Sequence, residues 1–292
     1  MQAKDLRTLL LLAAIWGCSF PFMTLAAPDF GPVALAETRV LLSAVFLLPL
    51  CFIQHKTADL KTHWFRIGIC GLFNIAIPFL LFCYAALSVT AGMLAVINAL
   101  TPLFGALVAR LWLGEYITRL RMLGLFMGFS GIAFLVAPDL SFHAGGLGWP
   151  ILAATAAPFS YAVAASYMTR YLRGVDSMAI ASGSITAAAV VLLPLAVWTW
   201  PSQPISLTGW SAATGLAILC TGLAYLIFYR LISAIGASRT ITVTFLVPIF
   251  GIAWSVILTG ETLSLRLIGG AVIVLCGTLL ATGFISAKPK RK

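Results

Sequence analysis

Long runs without charged residues constrain this chain more than any other feature. A helix that crosses the hydrocarbon core of a bilayer needs about 20 consecutive apolar residues. Seven runs of 17 residues or more contain no Asp, Glu, Lys or Arg: 8–28, 67–109, 122–138, 140–169, 177–229, 240–260 and 267–287. Two of them, 67–109 and 177–229, are each long enough for two spans, and 33–53 adds another if it includes Glu37 and Arg39. The sequence therefore predicts an all-α integral membrane protein with ten transmembrane helices.

The composition requires the same lipid environment. Hydrophobic residues make up 61% of the 292 residues and charged residues only 9%, whereas about a quarter of a soluble domain is charged. This balance excludes a secreted disulfide scaffold, a cytosolic enzyme and a DNA-binding domain. The six Cys lie inside the predicted spans without paired spacing, so we interpret them as small hydrophobic residues. We expect no disulfide, no metal ion and no cofactor.

The position of the basic residues predicts the orientation of the chain. Lys and Arg number 18 against 8 acidic residues, a net charge of +10. If the N-terminus is cytoplasmic, nearly all of the Lys and Arg fall in inside segments, and Arg266 alone falls in an outside loop. Cytoplasmic loops carry such an excess. We expect a multi-pass protein of the bacterial inner membrane, with both termini cytoplasmic, the lipid bilayer as its partner and no nucleic-acid ligand.

An internal repeat divides the chain into two similar halves. Three motifs recur at offsets of 145 or 146: Leu-Pro-Leu at 48–50 and 193–195, Pro-x-Phe-Gly at 102–105 and 248–251, and Gly-Glu at 114–115 and 260–261. The repeat predicts two five-helix units, 1–140 and 145–292. Because five is an odd number, the second unit enters the membrane from the opposite side. Inverted repeats are typical of alternating-access carriers, which bind their substrate near the midplane between the repeats.

The residues at these positions resemble a known family. The segment Trp-Gly-Cys-Ser-Phe at 16–20, Arg39 in the second span and the repeated Pro…Gly-Glu…Gly pattern resemble the EamA family of the drug/metabolite transporter superfamily. The resemblance covers the whole chain, and it looks closest to YddG-type aromatic amino-acid exporters. It implies a ten-helix carrier of small metabolites, many such carriers being exporters of amino acids or related compounds.

Polar groups inside the membrane are costly and are therefore candidate functional residues. We expect these residues to contact substrate: Trp16, Ser19, Arg39, Asn74, Asn98, Ser160, Tyr161, Thr221, Tyr225 and Thr244. Arg39 would attract a carboxylate, or else extend to the lipid headgroups or pair with Glu37. Trp16 would support an apolar substrate or simply pack. The two Asn would bind substrate or form hydrogen bonds between helices.

Two matched prolines are candidate hinges. Pro102 and Pro248 each remove a backbone donor within a span, so the fourth and ninth helices would line the pathway and bend during switching, unless the kinks are static. Glu115 and Glu261 lie just before helices, near predicted N-caps at Thr118 and Ser264. Their expected role is helix-start electrostatics, with gating as the alternative.

These features predict a facilitative exporter of large neutral or aromatic amino acids that functions as a monomer and is not an enzyme. A proton-coupled exporter of drug cations is a second hypothesis, although it needs a carboxylate in mid-span, and all eight Asp and Glu fall in loops or near helix ends. A nucleotide-sugar or sugar-phosphate exchanger would need several buried cations. The hypothesis from a different class, a membrane enzyme or receptor, does not account for the inverted repeat.

Overall fold

The structure is a computed structural model that describes residues 3–236 and 240–283. The regular secondary structure of these residues is helix, joined by short turns and loops. We number the ten membrane segments α1 to α10. Helices α1 (3–30) and α2 (32–53) form the run Ala3–Ile53, and they are followed by α3 Thr57–Ala85, α4 Ala91–Leu113, α5 Arg119–Asp139, α6 Gly148–Tyr171, α7 Ser177–Trp198, α8 207–235, α9 Val243–Thr259 and α10 Leu265–Ala281. The prediction of ten helical spans is confirmed.

The length and composition of these helices suit a bilayer. Seven helical runs of the described chain are long and apolar enough to cross a membrane, and the first of them, Ala3–Ile53, has 51 residues. That run holds two spans because Gly31 interrupts it with φ 71° and ψ 165°, a backbone conformation that costs glycine little. Helices α9 and α10 are shorter, at 17 residues each. The end of the last predicted span and the basic tail, residues 284–292, lie outside the described residues.

Side-chain caps explain where several helices begin. The hydroxyl or carboxylate of the residue before each helix accepts a hydrogen bond from a backbone N–H in the first turn, which would otherwise lack a partner. The capping residues are Thr90 for α4, Thr118 for α5, Asp176 for α7, Ser206 for α8 and Ser264 for α10. The two caps predicted from the sequence, Thr118 and Ser264, are among them.

Helix packing follows the same scheme in both halves. Helix α1 packs against α8 and α9, while α6 packs against α3 and α4. Helix α3 contacts α7, and α2 contacts α8 through Ser43, whose hydroxyl lies 2.9 Å from the Ala217 carbonyl oxygen. Exchanging each helix with the one five places along the chain leaves these pairings unchanged. Helices α5 and α10 pack mainly against each other.

The α5–α10 contact depends on glycine. A Cβ atom added to Gly124 would lie 2.6 Å from the carbonyl oxygen of Gly277, and one added to Gly277 would lie 2.4 Å from the amide nitrogen of Gly128. Two backbones can approach this closely only where side chains are absent, a common device in membrane helices. Helices α5 and α10 therefore form a tight pair at the side of the molecule.

The loops define two faces of the molecule. The basic face carries the α2–α3, α4–α5 and α6–α7 connections, and there Lys56 pairs with Asp176 at 3.1 Å. The opposite face carries the α3–α4, α5–α6, α7–α8 and α9–α10 connections, and there Arg266 pairs with Asp139. On the basic face, the Asp59 carboxylate also accepts a hydrogen bond of 2.8 Å from the backbone N–H of Asp176.

Candidate functional site

A cavity of about 330 Å³ lies between the two halves of the molecule. Helices α1–α4 and α6–α8 contribute lining residues, and so do α9 and Ile241 just before it, whereas the described residues of α5 and α10 contribute none. A volume of this size suits a small metabolite. The cavity therefore lies where an inverted-repeat carrier would bind its substrate.

The cavity opens toward the basic face. Its lining near that face includes Met168 and Ile180, both partly exposed, and Ile241, which is 58% exposed. At the other end, Arg39 and Phe82 are buried, with 6% and 3% exposure. The described conformation thus gives access from the basic face and is closed toward the opposite face.

Most of the predicted site residues meet in this cavity. Eight of the ten contribute to its lining: Trp16, Ser19, Arg39, Asn74, Asn98, Tyr161, Tyr225 and Thr244. Their shared location makes direct contact with a substrate geometrically possible. Their role in binding a substrate stays a prediction.

Arg39 is held inside the protein by neutral groups. Its Nε atom donates a 2.9 Å hydrogen bond to the hydroxyl of Thr221, and one terminal nitrogen lies 3.9 Å from the sulfur of Met23. Its guanidinium carbon lies 3.6 Å from the centre of the Phe79 ring, within the range of a cation–π contact. Arg39 therefore does not extend to the headgroups, and neither ion pair of the described residues includes it.

Glu37 does not pair with Arg39 either. Residues two apart on a helix do not face each other, and Glu37 is buried with 2% exposure. Neither carboxylate oxygen of Glu37 has a hydrogen-bond partner among the described residues. The sequence placed Glu37 near a helix end, and its burial was not anticipated. Burial without a hydrogen-bond partner is costly for a carboxyl group inside a membrane protein.

Two segments of π-helix shape the cavity wall. They occupy Leu72–Ala76 in α3 and Gly215–Leu223 in α8, which are equivalent positions in the two repeats. Within the second segment, the Thr221 hydroxyl donates to the carbonyl of Leu216 and accepts from Arg39, which fixes its orientation. Such wide turns are frequent at functional sites. Sequence periodicity of 3.6 residues gave no signal for them.

Two of the predicted contact residues do not line the cavity. Ser160 is buried and donates a 2.6 Å hydrogen bond to the carbonyl of Phe73, so it joins α6 to α3. Thr221 is fully buried and reaches the cavity only through Arg39. Their hydroxyls thus support the wall of the cavity in the described conformation.

The two proline positions differ in conformation. Helix α4 breaks at a turn between Asn98 and Thr101, and Pro102 lies in the first turn of the second part. The broken segment presents both Asn98 and Thr101 to the cavity. Pro248, by contrast, lies within the helix Val243–Thr259. The hinge roles of Pro102 and Pro248 stay predictions.

Aromatic side chains form much of the remaining wall. The rings of Trp16 and Phe228 are 5.3 Å apart at an angle of 48°, and those of Phe20 and Phe82 are 5.9 Å apart, edge to face. All four line the cavity. Flat apolar surfaces of this kind suit a substrate with an apolar or aromatic body.

Sequence reasoning missed several lining residues. Phe79 and Phe82 carry no polar group, and an apolar residue in a span can equally face lipid. Ser184 had a usable signal, because it lies 145 residues after Arg39 and so occupies the equivalent place in the second repeat. It also lines the cavity.

The opposite face is closed by contacts between the two halves. The two carboxylate oxygens of Glu261, in the α9–α10 loop, accept hydrogen bonds of 2.6 Å from the N–H of Ala91 and 3.0 Å from that of Gly92. These donors lie in the first turn of α4, whose dipole attracts negative charge. Glu261 was expected to act at the start of its own helix, and it instead joins the second half to the first. Glu115, its repeat equivalent, is exposed on the basic face.

Ten helices, two matching halves and a central cavity open to one side define a polytopic membrane protein with the architecture of an alternating-access carrier. The model of the EamA-like transporter family matches residues 6–137 and again residues 148–283. The chain therefore belongs to the EamA-like transporter family and is a membrane transporter.

The chain is similar to several bacterial proteins along nearly its whole length. It is 28% identical to the uncharacterized transporter YvbV of Bacillus subtilis, with 96% of this chain and 92% of that protein covered. It is 24% identical to a probable amino-acid metabolite efflux pump of Salmonella typhimurium, with 95% and 94% covered. It is 23% identical to a probable terminal-alkyne amino-acid exporter of Streptantibioticus cattleyicolor, with 92% and 91% covered.

Proposed function

We propose that this transporter exports amino acids, above all large neutral and aromatic ones, across the bacterial inner membrane. One observation carries the proposal: a single guanidinium, that of Arg39, stands at the closed end of a cavity with aromatic walls. An Arg presents paired donors that match a carboxylate, and the aromatic walls suit a large side chain. Two similar proteins named for the export of amino acids or their metabolites support the same choice.

The lining offers neutral groups for the rest of such a substrate. Asn74, Asn98 and Tyr225 supply amide and hydroxyl groups that can accept or donate hydrogen bonds. The described lining contains no Asp or Glu, the groups on which exchange of a drug cation for a proton would depend. A sugar-phosphate exchanger would need more cations than Arg39 alone.

Export proceeds by alternating access in this proposal. The basic face is cytoplasmic, as the excess of Lys and Arg in its loops favours, so the described conformation would load substrate from the cytoplasm. The halves 1–140 and 145–292 then rock around the cavity, with bending at Pro102 and Pro248. A facilitative mechanism is the simplest one, and the monomer contains the complete pathway.

Uptake of labelled phenylalanine into proteoliposomes without any ion gradient tests the proposal. We expect saturable uptake that excess tryptophan blocks. Trp16→Ala should raise the half-saturation concentration roughly tenfold, because it removes a large apolar contact from the wall. The matched control is Trp198→Ala, a Trp that is 86% exposed and outside the cavity; it should leave uptake unchanged.

Other outcomes would count against parts of the proposal. Uptake that occurs only under a pH gradient would replace the facilitative mechanism by proton coupling. No uptake under either condition, from protein that remains folded and monodisperse, would contradict amino-acid transport.

A further inference from the structure

The charge balance of the cavity narrows the class of substrate further. The inference rests on one part of the proposed function, the binding of a substrate carboxylate at Arg39, and it revises which carboxylates are preferred. Arg39 is the one charged residue in the described lining, and the other side chains there are neutral. The cavity therefore holds one positive charge before any substrate binds. A substrate that brings a single negative charge neutralises it.

The groups around Arg39 do not supply that negative charge. Its contacts are the Thr221 hydroxyl, the Met23 sulfur and the Phe79 ring. These orient the guanidinium without neutralising it. Glu37 makes no hydrogen bond among the described residues, and its place two residues along the helix directs it away from Arg39.

The second repeat leaves the positive charge of Arg39 without an equivalent. Ser184, the repeat equivalent of Arg39, lines the cavity as a neutral group and lies 3.3 Å from the carbonyl oxygen of Ile67, to which its hydroxyl donates. The cavity thus has one cationic end, closed and buried, and one neutral end near its mouth. An anionic group bound at Arg39 is removed from water and from salt, where electrostatic attraction is strongest.

A free amino acid fits this cavity less well than a carboxylic acid that lacks the ammonium group. The α-ammonium would lie one carbon from the carboxylate, close to Arg39, and like charges repel. The ammonium would also lose the water that hydrates it, and only neutral amides and hydroxyls would take the place of that water. We propose that the transporter selects monoanionic carboxylates with an apolar or aromatic body, such as the 2-oxo, 2-hydroxy or N-acyl counterparts of large amino acids, over the zwitterionic amino acids themselves.

A charge series on one scaffold tests this preference. Binding of labelled 3-phenylpropanoate (monoanion), phenylalanine (zwitterion) and 2-phenylethylamine (cation) to the purified full chain would be measured by equilibrium dialysis. We expect the monoanion to bind at least roughly tenfold more tightly than phenylalanine, and the cation more weakly than both. The ammonium of phenylalanine would lose at least one charged hydrogen bond to water on binding, and such a loss corresponds to a change in affinity of about this size or more.

Three variants separate the contribution of Arg39 from an effect on folding. Arg39→Gln should remove the preference for the monoanion, while Arg39→Lys, which keeps the charge, should bind all three compounds less well but in the same order. Glu37→Gln should leave the order and the affinities unchanged. Melting temperatures of all variants, measured in parallel, identify any that do not fold.

The results distinguish the inference from the proposed function. If phenylalanine binds as tightly as 3-phenylpropanoate or more tightly, the preference for monoanions is wrong, whereas amino-acid transport stands. A large gain in monoanion affinity in Glu37→Gln would reveal Glu37 as a counter-charge and would also overturn the inference. If none of the three compounds binds to the folded protein, the proposed function fails and the inference fails with it.

Discussion

The Thr221 hydroxyl determines where the guanidinium of Arg39 points. It accepts from Nε of Arg39 and donates to the carbonyl of Leu216, so a residue outside the cavity lining positions the one charge inside it. Thr221→Val removes both hydrogen bonds while keeping the volume, and it should raise the half-saturation concentration for a carboxylate substrate roughly tenfold. Thr221→Ser keeps the hydroxyl and should retain most of the native affinity. Equal affinities for the two variants would contradict the positioning role.

Asp176 links stability to pH at the basic face. Burial raises the pKa of its carboxyl, but the hydrogen bond from Lys56, those from the N–H of Met178 and Ala179 and the charge of Lys56 outweigh it, so the pKa lies below its usual 3.8. A lowered pKa gives stability that is complete above the unfolded value and is lost as the pH falls through the folded value.

Asp176→Asn removes the charge and keeps the helix cap, because Asn also caps helices well. The native protein should melt at a higher temperature than the variant at neutral pH, by an amount that reflects no more than about 1 kcal/mol for a partly exposed pair. The difference should shrink below about pH 4. Melting curves of both proteins in detergent across this range are the measurement, and a difference that grows on acidification would contradict the assignment.

Single residues mark the limit of what the sequence predicted about the site. Polar groups in apolar spans identified eight of the lining residues, because a membrane helix rarely keeps an amide or a cation without a use. The direction of Ser160 and Thr221 was not predictable, since the π-segments and the packing of neighbouring helices set their rotation. Phe79 and Phe82 gave no signal, because apolar residues occupy every face of a membrane helix.

At the scale of elements, the α5–α10 pair depends on close backbone contact. Gly124→Ala would place a Cβ 2.3 Å from the amide nitrogen of Ala281, a rigid neighbour, and should destabilise the protein by about 1–3 kcal/mol. The control is Gly105→Ala in α4, where nothing lies within 4 Å of the added Cβ. This change should be neutral or slightly stabilising, because Ala favours helix more than Gly does. The measurement is the melting temperature of each variant. An equal change in melting temperature for Gly124→Ala and Gly105→Ala would contradict tight packing of the α5–α10 pair.

The contact of Glu261 with the start of α4 is the second feature at this scale. Glu261→Gln loses the charge that the helix N-terminus attracts and one of its two acceptor oxygens, so the opposite face should open more often. A cysteine introduced at Phe82, at the closed end, in a background without native cysteines, should then react several-fold faster with a hydrophilic maleimide.

Glu115→Gln is the matched control for that experiment. Glu115 is the repeat equivalent of Glu261 but is exposed on the basic face, so its change should not accelerate labelling at the closed end. Equal labelling rates in the native background and in Glu261→Gln would show that Glu261 does not hold this face closed.

The existence of the helices was predictable, whereas their irregularities were not. Charge-free runs located nine of the ten spans, and a long apolar run that includes Glu37 and Arg39 supplied the other, because only a helix satisfies its own backbone in lipid. The break between Asn98 and Thr101 had a sequence signal in Pro102, but Pro248 carries the same signal and lies within a continuous helix. Tertiary contacts, which no local pattern encodes, decide between a break and a bend.

At the scale of the whole molecule, the repeat explains both the architecture and its asymmetry. Helices in equivalent positions pack alike, yet among the described residues the cavity opens toward the basic face, and Glu261 makes a contact between the halves that its equivalent Glu115 does not make. A carrier built from inverted repeats can reverse this asymmetry, since each half can take up the conformation of the other. In the proposed mechanism, the conformation described is one of two states between which a single cavity alternates.

Solute counterflow tests this claim most directly. Proteoliposomes loaded with unlabelled substrate (phenylalanine, or 3-phenylpropanoate if that proves the better ligand) are diluted into a trace of the labelled compound without any ion gradient. A single cavity that alternates between the two faces predicts a transient internal accumulation of label above its external concentration, absent in empty liposomes. Label that merely rises to equality, without an overshoot, would contradict alternating access and indicate a pathway open to both sides at once.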